Sequence, residues 1–257
     1  MSFEMIAVDL DSTLLKADKT VSDYTKEVLQ CYQKRGTIIT FVTARLYSAC
    51  TRFINILNPD VVISNYGALI QIDDKVLHKD IINVDIANKL VEKLMQLKNL
   101  GYLCAETENN YFANMSADLS NLTMSEFFFM SHTDISQGLN GDALTIAAEI
   151  FDDTTAYQIV SEFPSVSVIP FSGGNFFGFA ESSVDKWRAV KILADHMNIN
   201  TSQIVAFGDD YSDIKMLKNC GVGVAVANAI DECKNVADFV CDTNDNDGVA
   251  KWLKKNI

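Results

Sequence analysis

Five short apolar runs constrain this chain more than any other feature. They lie at residues 5–8, 38–42, 61–63, 204–207 and 222–226, and none alternates with polar residues. A strand with one wet face alternates; a strand buried on both faces does not. The runs therefore read as strands of a parallel sheet covered by helices. Helical spacing fills the gaps between them. Residues 25–34 follow Ser22 or Asp23 as a cap and stop at Gly36. Residues 46–57 carry Leu46, Cys50, Phe53, Ile54 and Leu57 at helical spacing before Asn58-Pro59. Residues 184–197 repeat the pattern with Val184, Trp187, Val190 and Ala194. Such alternation predicts an α/β fold with a doubly wound parallel sheet.

The middle of the chain reads differently. A helix is expected at 85–100, with Ile86, Leu90, Leu94 and Leu97 on one face, then a hairpin from 102–105 and 111–113. A helical stretch at 116–130, a strand at 144–151, a helix at 154–162 and strands at 166–169 and 176–180 follow. Strand pairs followed by helices suggest an α+β unit with its own sheet. The expected organisation is an α/β domain of residues 1–80 and 181–257, with 81–180 inserted as a second domain.

Composition narrows the function. Asp and Glu number 34 against 21 Lys and Arg, a net charge of −13, so nucleic acid and anionic membrane surfaces are disfavoured partners. No apolar run approaches the ~18–20 residues of a membrane span. Glu4, Asp9 and Asp11 interrupt the first apolar stretch, and no basic segment precedes it, so a cytoplasmic location is expected. The six cysteines form no C-x-x-C pair, and the three histidines are scattered, so zinc and redox motifs are absent from the sequence.

The polar residues closing the runs carry the chemistry. The first run ends in Asp9-Leu10-Asp11, the second in Thr43-Ala44-Arg45, and a later one in Gly208-Asp209-Asp210 with Asp213 beyond; Lys186 opens a helix after the insertion. Ligands of an open parallel sheet bind outside the carboxyl ends of its strands, so these residues are expected on one rim. Carboxylates gathered there repel unless a cation joins them, and all-oxygen donors with room for water suit Mg²⁺ better than Ca²⁺. With a Lys and a Thr hydroxyl beside them, they describe a phosphoryl-binding site containing a nucleophile.

Asp9-Leu10-Asp11-Ser12-Thr13-Leu14-Leu15 resembles the D-x-D-x-T-L motif of the haloacid dehalogenase superfamily. Thr43-Ala44-Arg45 resembles its second motif, Lys186 its third, and residues 208–217 its fourth. Val224-Ala225-Val226-Ala227-Asn228-Ala229, Ala237-Asp238 and Asp247-Gly248-Val249 are similar to the Cof-type branch, whose cap is of type IIB. The resemblance implies a phosphatase acting through an aspartyl-phosphate. Asp9 would be the nucleophile and Asp11 the general acid and base, its carbonyl also facing Mg²⁺. Asp9 and Asp209 would be carboxylate ligands of the metal, with Asp213 and Asp210 outside them. Thr43 and Lys186 would hold the phosphoryl oxygens, with Arg45 and Asn228 as further phosphate or substrate contacts. The substrate would be a small phosphorylated metabolite, such as a sugar phosphate or phosphorylated cofactor, selected by the inserted domain. Ser12, Ala44 and Ala227 depart from the glycines more usual in this branch, and Tyr66 stands where Asn usually precedes Gly-Ala. A ring there would narrow the pocket and alter the substrate contact made at that point.

Plainer readings stand beside these. An Asp at a strand end is usually a turn former or cap, which applies to Asp210 and Asp213 before a helix. Thr43 also suits a cap for the helix near Leu46, and Asn228 suits a turn. Residues 221–224 lack the third Gly of a dinucleotide fingerprint, and 173–178 lack the Lys-Ser/Thr of a P-loop. Phe127–Met130 reads as packing, with a substrate-facing aromatic wall as the sharper alternative. Two other functions compete: a phosphomutase of the same branch, and a non-catalytic phosphate-sensing module on the same fold.

Overall fold

The computed structural model describes residues 3–73, 75–114, 132–171 and 174–256. The expected helix at 116–130, the run Phe127–Met130 and Gly173 lie outside them. The chain divides into two compact units, residues 1–78 with 185–257, and residues 79–184.

The first unit is built on an eight-stranded sheet. Its strands are β1 (Met5–Val8), β2 (Ile38–Val42), β3 (Val61–Ser64), β4 (Leu69–Ile72), β5 (Lys75–Lys79), β12 (Ile204–Gly208), β13 (Val222–Ala225) and β14 (Phe239–Val240). The order is β14-β13-β12-β1-β2-β3-β4-β5. From β14 to β3 every neighbouring pair is parallel, while β4 runs antiparallel to β3. The sequence signalled β1, β2, β3, β12 and β13, but not β4, β5 or the two-residue strand β14. β5 is polar and largely exposed, so it lacks the buried apolar run by which the others are recognised. Met5, Ile6, Ala7 and Val8 are all fully buried, as strands covered on both faces must be.

The helices flanking this sheet are α1 (Asp23–Gln33), α2 (Tyr47–Leu57), α5 (Lys186–Met197), α6 (Ile214–Asn219), α7 (Asp231–Val236) and α8 (Gly248–Lys255). α1 starts where Ser22 accepts a hydrogen bond from the Thr25 amide, and α2 ends at Asn58 in the left-handed conformation. α1 packs on α8, and α5 on α6. Sheet order departs from β1 in both directions, β2 and β3 to one side and β12 and β13 to the other. Right-handed crossovers then put helices on both faces, with a crevice where the order reverses.

The second unit has a six-stranded sheet of order β10-β11-β9-β6-β7-β8. Its strands are β6 (Leu100–Thr107), β7 (Tyr111–Ala113), β8 (Thr133–Asp134), β9 (Ala143–Ile150), β10 (Val166–Pro170) and β11 (Phe176–Glu181), with helices α3 (Val84–Met95) and α4 (Asp153–Val160). All pairs are antiparallel except β7 with β8. Leu90, Val91 and Leu94 of α3 pack with Leu103, Ile146 and Phe179 in a core separate from that of the first unit. The helix expected at 85–100 ends at Met95, and β6 begins at Leu100. Leu97 and Leu100 pack against the same core from the turn and the strand, so the apolar spacing ran on past the helix.

All six cysteines are free thiols, four of them buried. Among the described residues, no helix is long and apolar enough to cross a membrane.

Candidate active site

Parallel pairing fixes which residues meet at the carboxyl rim of the first sheet. Val8 lies beside Phe41 and beside Phe207. Asp9 therefore follows β1 at the level where β2 and β12 end, and Thr43 and Asp209 emerge from the neighbouring strands. The Asp9 amide continues the ladder, donating to the Phe207 carbonyl at 3.1 Å.

Beyond Asp9 the chain makes a wide turn. The amides of Leu14 and Leu15 donate to the carbonyls of Asp9 and Leu10, each five residues back, at 3.2 and 2.8 Å. The turn needs a left-handed residue, and Ser12 supplies it at φ 57°. This is the position where glycine is more usual, and the backbone gives the reason. The turn brings Thr13 back to the rim, where its hydroxyl donates to Asp209 Oδ1 at 2.8 Å. Asn228 clamps the turn from outside, its Nδ2 donating to the Ser12 carbonyl at 2.7 Å while its Oδ1 accepts from the Asn244 amide.

Lys186 arrives from the first position of α5, whose N-cap is Asp185. The loop after β3 passes close to this helix start: a Cβ on Gly67 would lie 2.7 Å from the Asp185 carbonyl, and Gly67 has φ 106°. Asn65 and Tyr66, just before it, are also left-handed. Tyr66 thus occupies a backbone conformation that Asn tolerates better. Lys186 is 2% exposed, and its Nζ donates to Asp9 Oδ1 and Asp213 Oδ1, both at 2.7 Å. Asp213 is fully buried, and its other oxygen accepts from the amides of Asp209 and Asp210. A Cβ on Gly208 would sit 2.5 Å from the Asp213 side chain, so the strand end has room only for glycine.

Carboxylate oxygens of Asp9, Asp209 and Asp213 lie within 4.8 Å of one another. Lys186 is the cation that holds Asp9 and Asp213. Burial raises the Asp9 carboxyl well above its usual range; Lys186 opposes this, while Asp213 and Asp209 add to it. Asp209 is pushed up to about 7 by burial and by Asp213, against the pull of the Thr13 hydroxyl. Burial works against the Lys186 ammonium, yet Asp213 and Asp9 outweigh it and hold its pKa above normal. The cluster is thus short of positive charge, and its donors are hard oxygens. That combination fits a divalent cation of the Mg²⁺ kind. Asp213 has both oxygens engaged by Lys186 and two amides, which leaves Asp9 and Asp209 as the freer donors.

Asp11 belongs to a second cluster. Arg45 grips it with two bonds, Nε to Oδ2 at 2.5 Å and Nη2 to Oδ1 at 2.7 Å. Lys19 Nζ adds a third, to Oδ1 at 2.7 Å. Burial favours the neutral acid, but the bonds from Arg45, its charge and that of Lys19 prevail and lower Asp11 to about 2. Thr43 is buried, and its hydroxyl accepts from the Arg45 amide at 3.1 Å. It does not cap α2, whose N-cap position is Leu46. Asp210 caps the turn before α6, with Asp213 returning a bond to the Asp210 amide.

Asp9, Asp209, Asp213 and Lys186 therefore converge, and Asp11 and Arg45 form an adjoining pair. The amide of Asn228 is spent on backbone groups. Thr13 and Lys19 are additions. The motif contained Thr13, but a threonine in a turn has no spacing that reveals its partner. Lys19 lies in a short polar loop with no periodicity.

Known proteins share this fold. The family profile described as haloacid dehalogenase-like hydrolase matches residues 6–253. The 5-amino-6-(5-phospho-D-ribitylamino)uracil phosphatase YitU of Bacillus subtilis (strain 168) is 26% identical over 261 residues, covering 98% of this chain and 96% of that protein. The structure of BT1666 from Bacteroides thetaiotaomicron, described among phosphatases of the haloalkanoate superfamily, superposes with a TM-score of 0.83 at 25% identity; the match covers 99% of this chain and 95% of the other. That of the subclass IIB sugar phosphatase BT4131 gives 0.86 at 20% identity, over 98% of both chains. The chain belongs to the haloacid dehalogenase-like hydrolases, in their Cof-type branch.

Proposed function

We propose that this protein is a Mg²⁺-dependent phosphatase of small phosphate monoesters, working through an aspartyl-phosphate on Asp9. The observation that carries the reading is the convergence of Asp9, Asp209 and Asp213, with the buried Lys186 ammonium bonded to Asp9 and Asp213. A structural ion pair needs one carboxylate per ammonium. Three at one ammonium leave an excess of negative charge that a divalent cation and a phosphoryl group account for together.

Asp9 and Asp209 would hold the metal, with the Asp11 carbonyl; Asp213, fixed by Lys186 and two amides, and Asp210 would stand behind them. The metal's contribution is charge neutralisation at the phosphoryl oxygens. The chain's own residues do the rest. With Oδ1 held by Lys186, Asp9 presents Oδ2 to phosphorus. The new O–P bond forms as the bond to the leaving oxygen breaks, its electron pair going to that oxygen. Asp11, taking up a proton from solvent as the phosphoryl group draws Lys19 and Arg45 from its carboxylate, donates it to that oxygen and makes the product an alcohol. Water then attacks phosphorus, Asp11 takes its proton, and the O–P bond to Asp9 breaks, restoring the carboxylate and releasing inorganic phosphate. Lys186 and the Thr43 hydroxyl hold the phosphoryl oxygens through both steps. Arg45 can serve the same group once it lets go of Asp11. Residues 79–184 would select the leaving group. The substrates named for relatives, a phosphorylated ribitylaminouracil and sugar phosphates, support a small phosphorylated metabolite as the class.

The test is phosphate release from p-nitrophenyl phosphate and a panel of sugar phosphates, with Mg²⁺ or with EDTA. Mg²⁺-dependent, continuing release is expected, with Asp9→Asn lowering it at least about a thousandfold. A near-normal rate in Asp9→Asn removes Asp9 from the role. Silence across the panel favours a phosphate-sensing module, and transfer back to sugar without release favours a mutase.

A further inference from the structure

The second unit contains a cavity of about 320 Å³. Three segments build it: Lys79 and Ile81 where the chain enters the unit, residues 107–110 at the turn between β6 and β7, and residues 140–144 leading into β9. The space opens where β6 and β9 fall out of step. Glu106 pairs with Thr145 but Thr107 pairs with Ala143, so Leu144 is an extra residue on β9. A bulge of this kind interrupts regular pairing and often lies beside a site. Leu144 and Thr107 are the buried members of the lining.

The walls are tied to one another. Lys79 Nζ donates to Glu108 Oε2 at 2.6 Å, and Asn110 Nδ2 donates to Asn140 Oδ1 at 3.3 Å. The Thr107 amide donates to the Asn110 carbonyl at 2.9 Å and closes the turn. Asp142 Oδ1 accepts from the Val84 amide at 2.8 Å, and the Ile82 and Ala143 backbones exchange two bonds, at 2.8 and 2.9 Å. A cavity braced in this way keeps its shape without a ligand, which lowers the cost of binding one.

The lining selects the chemistry of the occupant. Small-molecule sites begin near this volume and are usually walled by apolar groups. Here, among the described lining residues, only Ile81 and Leu144 are large apolar side chains. Asn109, Asn110 and Asn140 each set an amide donor beside a carbonyl acceptor, and a hydroxyl group answers both. Glu108 and Asp142 against Lys79 leave the lining one negative charge in excess, which disfavours an anion. We propose that this cavity binds a small neutral polyol, a free sugar or sugar alcohol. None of its lining residues belongs to the clusters around Asp9 and Asp11, and the proposal stands independently of the phosphatase reading.

The experiment is calorimetric titration of the full chain with D-glucose, ribitol and, as the anionic control, D-gluconate. At least one neutral polyol is expected to bind with Kd of about 1–10 mM, and gluconate at least about fivefold more weakly. A Cβ on Gly141 meets nothing within 4 Å, so Gly141→Phe brings a ring to the cavity wall without a clash and should weaken binding at least about tenfold. Asn109→Ala, which removes one carboxamide, should weaken it about threefold to tenfold. Binding should be unchanged in Asp9→Asn and in the presence of Mg²⁺ with inorganic phosphate. The titration reads binding alone, so an enzyme inactive on every phosphate ester would leave the proposal standing. Failure of both polyols to bind, gluconate binding as tightly as they do, wild-type affinity in both Gly141→Phe and Asn109→Ala, or loss of binding in Asp9→Asn would each overturn it.

Discussion

Asp209→Asn should stabilise the metal-free protein. Asp209 sits beside two further carboxylates with one ammonium among them, and its carboxyl is raised from 3.8 to about 7. Such a group is more comfortable protonated in the folded chain than in the unfolded one. Its favourable contribution is complete below 3.8 and is lost as pH climbs through about 7. At pH 8 the ionised group therefore works against folding, by about 4 kcal/mol from the pKa difference alone. Asp209 keeps partial contact with solvent, which reduces this to about 2 kcal/mol. Asparagine removes the charge and still accepts from the Thr13 hydroxyl. For a chain of this size the gain amounts to about 4–8 °C in the melting temperature. The assay is thermal unfolding at pH 8 with EDTA, at pH 5 with EDTA, and at pH 8 with excess Mg²⁺. The variant should melt higher in the first condition and lose most of the advantage in the second. In the third the order should reverse, because metal stabilises the wild type in proportion to its affinity. A variant that melts lower than wild type at pH 8 without metal would refute the account of the cluster as charge-starved.

Two further substitutions probe the turn that follows Asp9. Ser12→Gly relieves a left-handed backbone at φ 57° and should raise unfolding free energy by up to about 1 kcal/mol in denaturant titration, without raising KM. Asn228→Ala removes bonds to the Ser12 carbonyl and the Asn244 amide and should cost about 1 kcal/mol. If Asn228 instead contacts substrate, KM will rise with stability unchanged.

Legibility in the sequence followed burial. β1, β2, β3, β12 and β13 were readable because strands covered on both faces leave uninterrupted apolar runs, and the acids after them stood out by contrast. The sheet-end rule then predicted that Asp9 and Asp209 meet, although 200 residues separate them. β4 and β5 escaped because β5 is solvated and carries no such run. Partners were harder to read than positions. Nothing in the spacing says that Arg45 closes on Asp11, that Thr13 reaches Asp209, or that Lys19 completes the pair. Those contacts depend on a wide turn and a short loop whose left-handed residues, Ser12 and Lys19, are not the glycines that would have marked them.

The pairing of β1 with β12 joins Met5 to Ile204. On a ribosome the strand that will stand inside the sheet is made before both of its neighbours, and the second of them follows roughly 10–40 s later. Throughout that interval one side of β1 is a bare apolar edge, the kind of surface that invites unwanted pairing or a chaperone. A nascent chain also carries Asp9 long before it owns Asp209 or Asp213. The carboxylate cluster therefore forms in a single event, when β12 joins the sheet and brings the acids that follow it.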